Sequence, residues 1–165
     1  MATTSIAERI AFGRPQSLAP EVEERIPLVP RATTALIGRV LIAAIFLVSG
    51  IAKLTDTAGT AGYMTAVGIP NAETFAIIAG IAEIAGGVAL ALGFLGRLGA
   101  IGLFVFMIPT TLIFHGFWNF EGAEQKTQMV NFMKNLAIMG GLLMIFADGP
   151  GRLSIDERLR RPLTP

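Results

Sequence analysis

The chain has 165 residues, 53% of them apolar, with a mean hydropathy of +0.64 and a formal charge of +1. That balance points to one domain solvated largely by lipid and argues against a nucleic-acid partner. There is no cysteine and a single histidine, which excludes disulfides, a catalytic thiol and a zinc site and leaves little to begin a haem ligand set.

Taken in chain order, residues 1–32 form a polar arm carrying Pro15, Pro20, Pro27 and Pro30 beside Glu21, Glu23 and Glu24. The first apolar stretch follows only after Arg31, so the arm does not have the pattern of a secretory signal. Its composition is that of a disordered cytoplasmic segment; Ile6, Ile10 and Phe12 alternatively give it apolar surface with which to order on a partner. Residues 33–148 are expected to be an all-α, four-helix transmembrane bundle with spans at about 33–54, 74–95, 98–114 and 131–147. Residues 149–165 would be a cytoplasmic tail. Two of these runs fall short of the roughly 20 residues that cross a bilayer core, so flanking residues must complete them. A soluble bundle would show a polar face every turn, and Ile84 to Leu95 shows none.

Ten arginines (Arg9, Arg14, Arg25, Arg31, Arg39, Arg97, Arg152, Arg158, Arg160 and Arg161) fall on one side of the four spans. Only Lys53, Lys126 and Lys134 fall on the other. The excess of positive charge predicts cytoplasmic termini and places the connections 55–73 and 115–130 outside.

Within the second span Gly80, Glu83 and Gly87 share one face, where small residues let backbones approach and Glu83 is turned inward. Gly96 and Arg97 alone join the second and third spans, which makes those helices antiparallel neighbours. Pro109 removes a backbone donor and frees a carbonyl near Val105, with Thr110 or Thr111 at hand to satisfy it.

An ionisable side chain near the bilayer centre costs at least about 2.5 kcal/mol, so Glu83 must be protonated, paired or wetted. At 1.5 Å per residue it lies about 13 Å below Thr74. The candidate partners are Lys134, Lys53 and Arg39. Lys134 is favoured because Asn135 adds donors on the same helix, whereas Lys53 and Arg39 sit near span ends where long side chains can snorkel. Beyond the third span Thr111 and His115 stand at i, i+4, followed by Trp118 and Asn119. This patch is either an interfacial belt or the mouth of a site. Tyr63, the one tyrosine, is placed to close over it.

Several motifs in order resemble the DoxX family of small bacterial membrane proteins. They are Gly38-Arg39-Val40-Leu41 running on to Phe46-Leu47-Val48-Ser49-Gly50-Ile51-Ala52-Lys53-Leu54, Tyr63 with Gly68-Ile69-Pro70, Glu83 ahead of Gly86-Gly87, His115-Gly116-Phe117-Trp118, and Lys134-Asn135-Leu136 with Gly140-Gly141. The resemblance spans about residues 35–155. It implies a four-helix domain of the bacterial inner membrane and an association with redox work, since the family takes its name from a subunit of a thiosulfate:quinone oxidoreductase and other members resemble anchors for oxidant-defence enzymes. Arg39, Lys53, Tyr63, Glu83, His115, Trp118, Lys134 and Asn135 occupy the family-like polar positions. Fold transfers across such a likeness more readily than function does.

Three functions are compatible with these residues. One is an accessory subunit of a membrane redox or respiratory assembly, without a cofactor of its own but in contact with quinone, and bound to lipid and to a protein partner or further copies of itself. Another is a quinone-dependent enzyme in which Glu83 and Lys134 are a buried acid and base and His115 is the outward proton contact, with Arg39, Lys53, Tyr63, Trp118, Asn119 and Asn135 around the ligand. A third is a carrier or channel for a small polar solute, which four short helices without an internal repeat would serve only as an oligomer.

Overall fold

The computed structural model describes residues 29–161, so the arm expected over 1–32 lies almost wholly outside the described residues, as do residues 162–165. Residues 32–161 form one compact unit. The described chain is helical throughout, without strands: α1 (Arg31–Thr55), α2 (Thr57–Ala66), α3 (Ala72–Leu92), α4 (Gly96–Phe114), a 3₁₀ turn (Phe117–Asn119), α5 (Gly122–Asp148) and α6 (Ile155–Arg160). Of these α1, α3, α4 with its 3₁₀ extension, and α5 are long and apolar enough to cross a membrane.

Small residues set the closest helix contact. A Cβ on Gly50 of α1 would stand 2.7 Å from the Gly80 carbonyl of α3, and one on Gly87 would stand 2.9 Å from Leu47 and 3.3 Å from the Ala43 carbonyl. Rising numbers on α3 thus meet falling numbers on α1, so the two helices run antiparallel with their backbones nearly touching. This is the face expected from Gly80, Glu83 and Gly87, all three buried. The apolar core gathers Ala43 and Phe46 of α1, Leu90 of α3, Ala100, Leu103 and Met107 of α4 and Leu142 of α5. Leu142 is the one buried residue of α5, so most of that helix faces outward from the bundle.

The connection after α1 is shorter as a loop than expected, because its middle folds into α2. Asp56 caps this helix by accepting from Gly59 N at 2.9 Å. Met64 then packs α2 onto Ala72, Ala76 and Ala79 at the start of α3.

Three boundaries differ from the sequence expectation. α5 begins nine residues before the apolar run at 131, because Glu124 to Gln128 are good helix formers that hydropathy does not register. The turn between α3 and α4 is Gly93–Leu95, not Gly96–Arg97. Gly93 at φ +62° and Phe94 close a Schellman cap onto Leu90 and Ala89, and Gly96 already belongs to α4. The hydroxyl of Thr110 donates to Phe106 O at 2.9 Å, one residue past the carbonyl that Pro109 frees. A helical threonine reaches back four residues, and the position that would reach Val105 is the proline itself.

Residues 149–161, after α5, are docked against the bundle by Arg39 and Asp156. Arg39 is buried and donates to the carbonyls of Ala91, Pro150 and Leu153. Asp156 accepts from Leu95 N at 2.8 Å and Gly96 N at 2.9 Å. Ser154 caps α6 through Glu157 N. The start of α1 and the end of α5 are thereby held together at one end of the bundle, the Arg39 end; the opposite end carries Lys53, α2 and the 3₁₀ turn.

Candidate functional site

At the Lys53 end the four long helices and α2 border a half-open cavity of about 1110 Å³. Its walls are chiefly apolar, from Phe46 on α1, Met64 on α2, Phe75 and Ile78 on α3, and Phe106 and Ile113 on α4. Into this apolar space project Ser49, Lys53, Tyr63, Glu83, Thr110, His115 and Asn135.

The pair Lys53 and Glu83 is its most strongly charged feature. Lys53 Nζ donates to both carboxylate oxygens of Glu83, at 2.9 and 3.1 Å, and to Ser49 Oγ at 2.6 Å. Glu83 is buried and the lysine side chain is 21% exposed, so the carboxylate is shielded while part of the lysine side chain remains open to the cavity. Three acceptor atoms around one ammonium and a bidentate contact on the acid meet the requirement for keeping two charges away from water.

Two polar contacts lie on the α4 and α5 side. Asn135 Nδ2 donates to Thr111 Oγ1 at 3.1 Å, with Thr111 buried. His115 Nδ1 lies 2.8 Å from Gln128 Oε1. An amide oxygen only accepts, so Nδ1 donates in this contact. Tyr63 stacks on Phe114 with ring centroids 5.6 Å apart and borders the same cavity from α2.

The expected ion pair between Glu83 and Lys134 is not formed; Glu83 pairs with Lys53. Asn135 points at Thr111 inside the bundle, and the preceding residue on a helix is turned away by about 100°. Lys134 is accordingly exposed and outside the cavity wall. Arg39 also stands apart, at the far end of the bundle, bonded to carbonyls. Trp118 and Asn119 are exposed and do not border the cavity. Trp118 packs edge-on against Phe117 and Phe132 instead. The structure therefore brings together Lys53, Tyr63, Glu83, His115 and Asn135, and separates them from Arg39, Trp118, Asn119 and Lys134.

Sequence reasoning missed Ser49 and Gln128. Ser49 was legible as the residue one turn below Lys53 on the same face. Gln128 lies before the apolar run of the last span, where only its helical spacing from Asn135 would have marked it. Among the described residues no cluster of three or more His, Asp or Glu side chains is arranged to hold a metal.

The DoxX family model matches residues 34–116, which takes in α1 to α4 and His115. The chain is 34% identical over 128 residues to the inner membrane protein YphA of Escherichia coli, covering 78% of this chain and 91% of that protein. It is 39% identical over 126 residues to the inner membrane protein YqjF of the same organism, covering 76% and 92%. An uncharacterized membrane protein of Mycobacterium tuberculosis is 30% identical over 141 residues, covering 76% and 81%. No solved structure matches the chain.

Proposed function

This chain belongs to the DoxX family, and on that premise we propose that it is a multi-pass inner-membrane protein holding a quinone-like molecule beside Lys53 and Glu83, as accessory subunit of a redox assembly. One observation carries the reading: a cavity of about 1110 Å³ with apolar walls and a single ion pair in reach of its contents. Such a space favours a ligand with a mainly apolar body and a few hydrogen-bonding atoms. A quinone ring with its isoprenoid tail has that distribution, and when bound it supplies the electron-accepting chemistry that the side chains lack.

The donor set fits the group. Lys53 Nζ would donate to a carbonyl oxygen on the α1 side by exchanging its bond to Ser49 for it. Asn135 would offer its second amide hydrogen from α5 and Tyr63 its hydroxyl from α2, with the remaining ring nitrogen of His115 on the same side. Glu83 holds the lysine in place by offering both oxygens. The DoxX relatives from Escherichia coli are inner membrane proteins by name, which supports the same location here. The arginine excess on one side supports cytoplasmic termini.

Photoaffinity labelling with an azidoquinone tests the site. Label is expected in the peptides carrying Ser49–Lys53 and Phe106–His115, to be competed by unlabelled quinone and to fall at least tenfold in Lys53→Met. Label confined to lipid-facing peptides, or unchanged in that variant, removes the quinone from the proposal. Gentle extraction from the native membrane tests the accessory role: a companion protein at fixed stoichiometry is the expected result, and a clean monomer or homo-oligomer overturns it.

A further inference from the structure

At the Arg39 end, away from this cavity, a second concavity of about 380 Å³ lies between the α3–α4 turn and α6, lined by Leu95, Arg97, Leu98, Asp156, Leu159 and Arg160. We propose that it binds the headgroup of an anionic phospholipid, with the acyl chains lying along α4.

Charge is the first part of the case. Among the described residues the ion pairs are Lys53–Glu83 and Arg161–Glu157, so neither Arg97 nor Arg160 is neutralised by an acidic side chain. Asp156, the one carboxylate of the groove, is held by the N–H groups of Leu95 and Gly96. Its charge is offset there by the positive end of α4. The guanidinium of Arg97, which lies beside Gly149 at the end of α5, and that of Arg160 have no carboxylate partner among the described residues, and their planar donor arrays suit phosphate oxygens.

The apolar rim decides which anion. Leu95, Leu98 and Leu159 are 52%, 64% and 71% exposed around the same groove. A free inorganic phosphate would gain nothing from three exposed leucines, whereas a phospholipid places its glycerol and first methylenes against them. Arg97 and Leu98 belong to the first turn of a membrane-crossing helix, the level at which phosphate meets hydrocarbon. From Leu98 an open strip continues up α4 through Gly102, whose missing side chain has nothing within 4 Å, to Val105, 56% exposed, and Leu112, 49% exposed. These positions recur at helical spacing, so the strip is one continuous track for an acyl chain.

Native mass spectrometry of the full-length protein in mild detergent tests the site, with phosphatidylglycerol and phosphatidylcholine of identical chains offered in equal amounts. The wild type is expected to retain phosphatidylglycerol about thirtyfold better, as two arginines at a membrane surface imply. Arg97→Gln together with Arg160→Gln should bring the two lipids to near parity at an unchanged thermal midpoint, and Arg97→Lys with Arg160→Lys should keep most of the preference. Leu159→Asn should weaken retention of both lipids. Equal retention of the two lipids by the wild type, a preference that survives the Gln pair, or displacement of the lipid by millimolar inorganic phosphate would each overturn the assignment. The wild-type comparison decides even where a variant fails to fold.

Discussion

Lys53 and Glu83 meet although their backbones stand on opposite sides of the contact between Gly50 and Gly80. Lys53 is one turn beyond that contact toward one end of the bundle, and Glu83 is one turn beyond it toward the other. At 1.5 Å per residue the two Cα levels are separated by about 9 Å. Helical side chains lean toward the start of their own helix, and α1 and α3 run antiparallel, so the two lean toward each other. The bond from Lys53 to Ser49, four residues back, marks the path of the lysine down its own helix. The glycine contact and the ion pair are thus parts of one joint.

Removing one charge from that joint should expose the other. Lys53→Met is expected to lower the unfolding free energy by about 3 kcal/mol or more, because Glu83 is left buried alone. Glu83→Gln should cost less, since Lys53 already borders the cavity and can turn into it. Lys53→Met combined with Glu83→Met should recover most of the loss. Reversible unfolding in mixed micelles measures all four corners of the cycle, and strictly additive losses would show that the pair does not couple.

The glycine contact is testable separately. Gly50→Ala puts a methyl group 2.7 Å from the Gly80 carbonyl, and the helices must separate to admit it, at about 1–3 kcal/mol. Gly38→Ala, on the same helix with nothing within 4 Å of the new methyl, should be neutral or slightly stabilising. Thermal midpoints of the two variants in one detergent compare them directly.

On α5, neighbouring residues should behave differently. Lys134→Gln is expected to change stability by no more than about 0.5 kcal/mol, as for a surface position. Asn135→Leu removes the donor to Thr111 and leaves a buried hydroxyl unpartnered, at about 1–2 kcal/mol. The same unfolding assay separates them, and a larger effect for Lys134→Gln would return that residue to the site.

Arg39→Met should loosen the C-terminal segment without unfolding the spans. The carbonyls of Pro150 and Leu153 lose their shared donor. Cleavage by trypsin at Arg152 and Arg158 is expected to rise severalfold while the helical circular dichroism stays constant. Asp156→Ala, which uncaps α4, should act in the same direction.

Because the chain has no native cysteine, single cysteines report topology cleanly. Glu124→Cys should react with a membrane-impermeant maleimide in intact cells, and Arg158→Cys only after permeabilisation. The reverse pattern would invert the orientation expected from the arginine distribution.

The four crossings were legible because hydrocarbon demands long apolar runs, and each run became a helix. Their ends were less legible. Glu124 to Gln128 continue α5 by propensity alone, and the cap at Gly93 is written in backbone angles that hydropathy does not see. Gly80, Glu83 and Gly87 announced an inward face through their spacing. The partner of Glu83 was misjudged because depth was weighed before direction: Lys134 reaches the right level but follows Asn135 around the helix to the outside. Arg39 read as a span-end residue free to snorkel; its carbonyl partners near 150 are remote in sequence, and no local pattern marks them.

The fastening of Asp156 to the first turn of α4 has a consequence for biosynthesis. The acceptor lies 60 residues downstream of the Gly96 N–H it serves, so at 5–20 residues per second the third crossing waits about 3–12 s for its cap. During that interval the start of α4 must rely on water or lipid phosphates. Completion of the bundle therefore waits on the synthesis of Asp156, and a chain cut before that residue would enter the membrane without locking its middle hairpin.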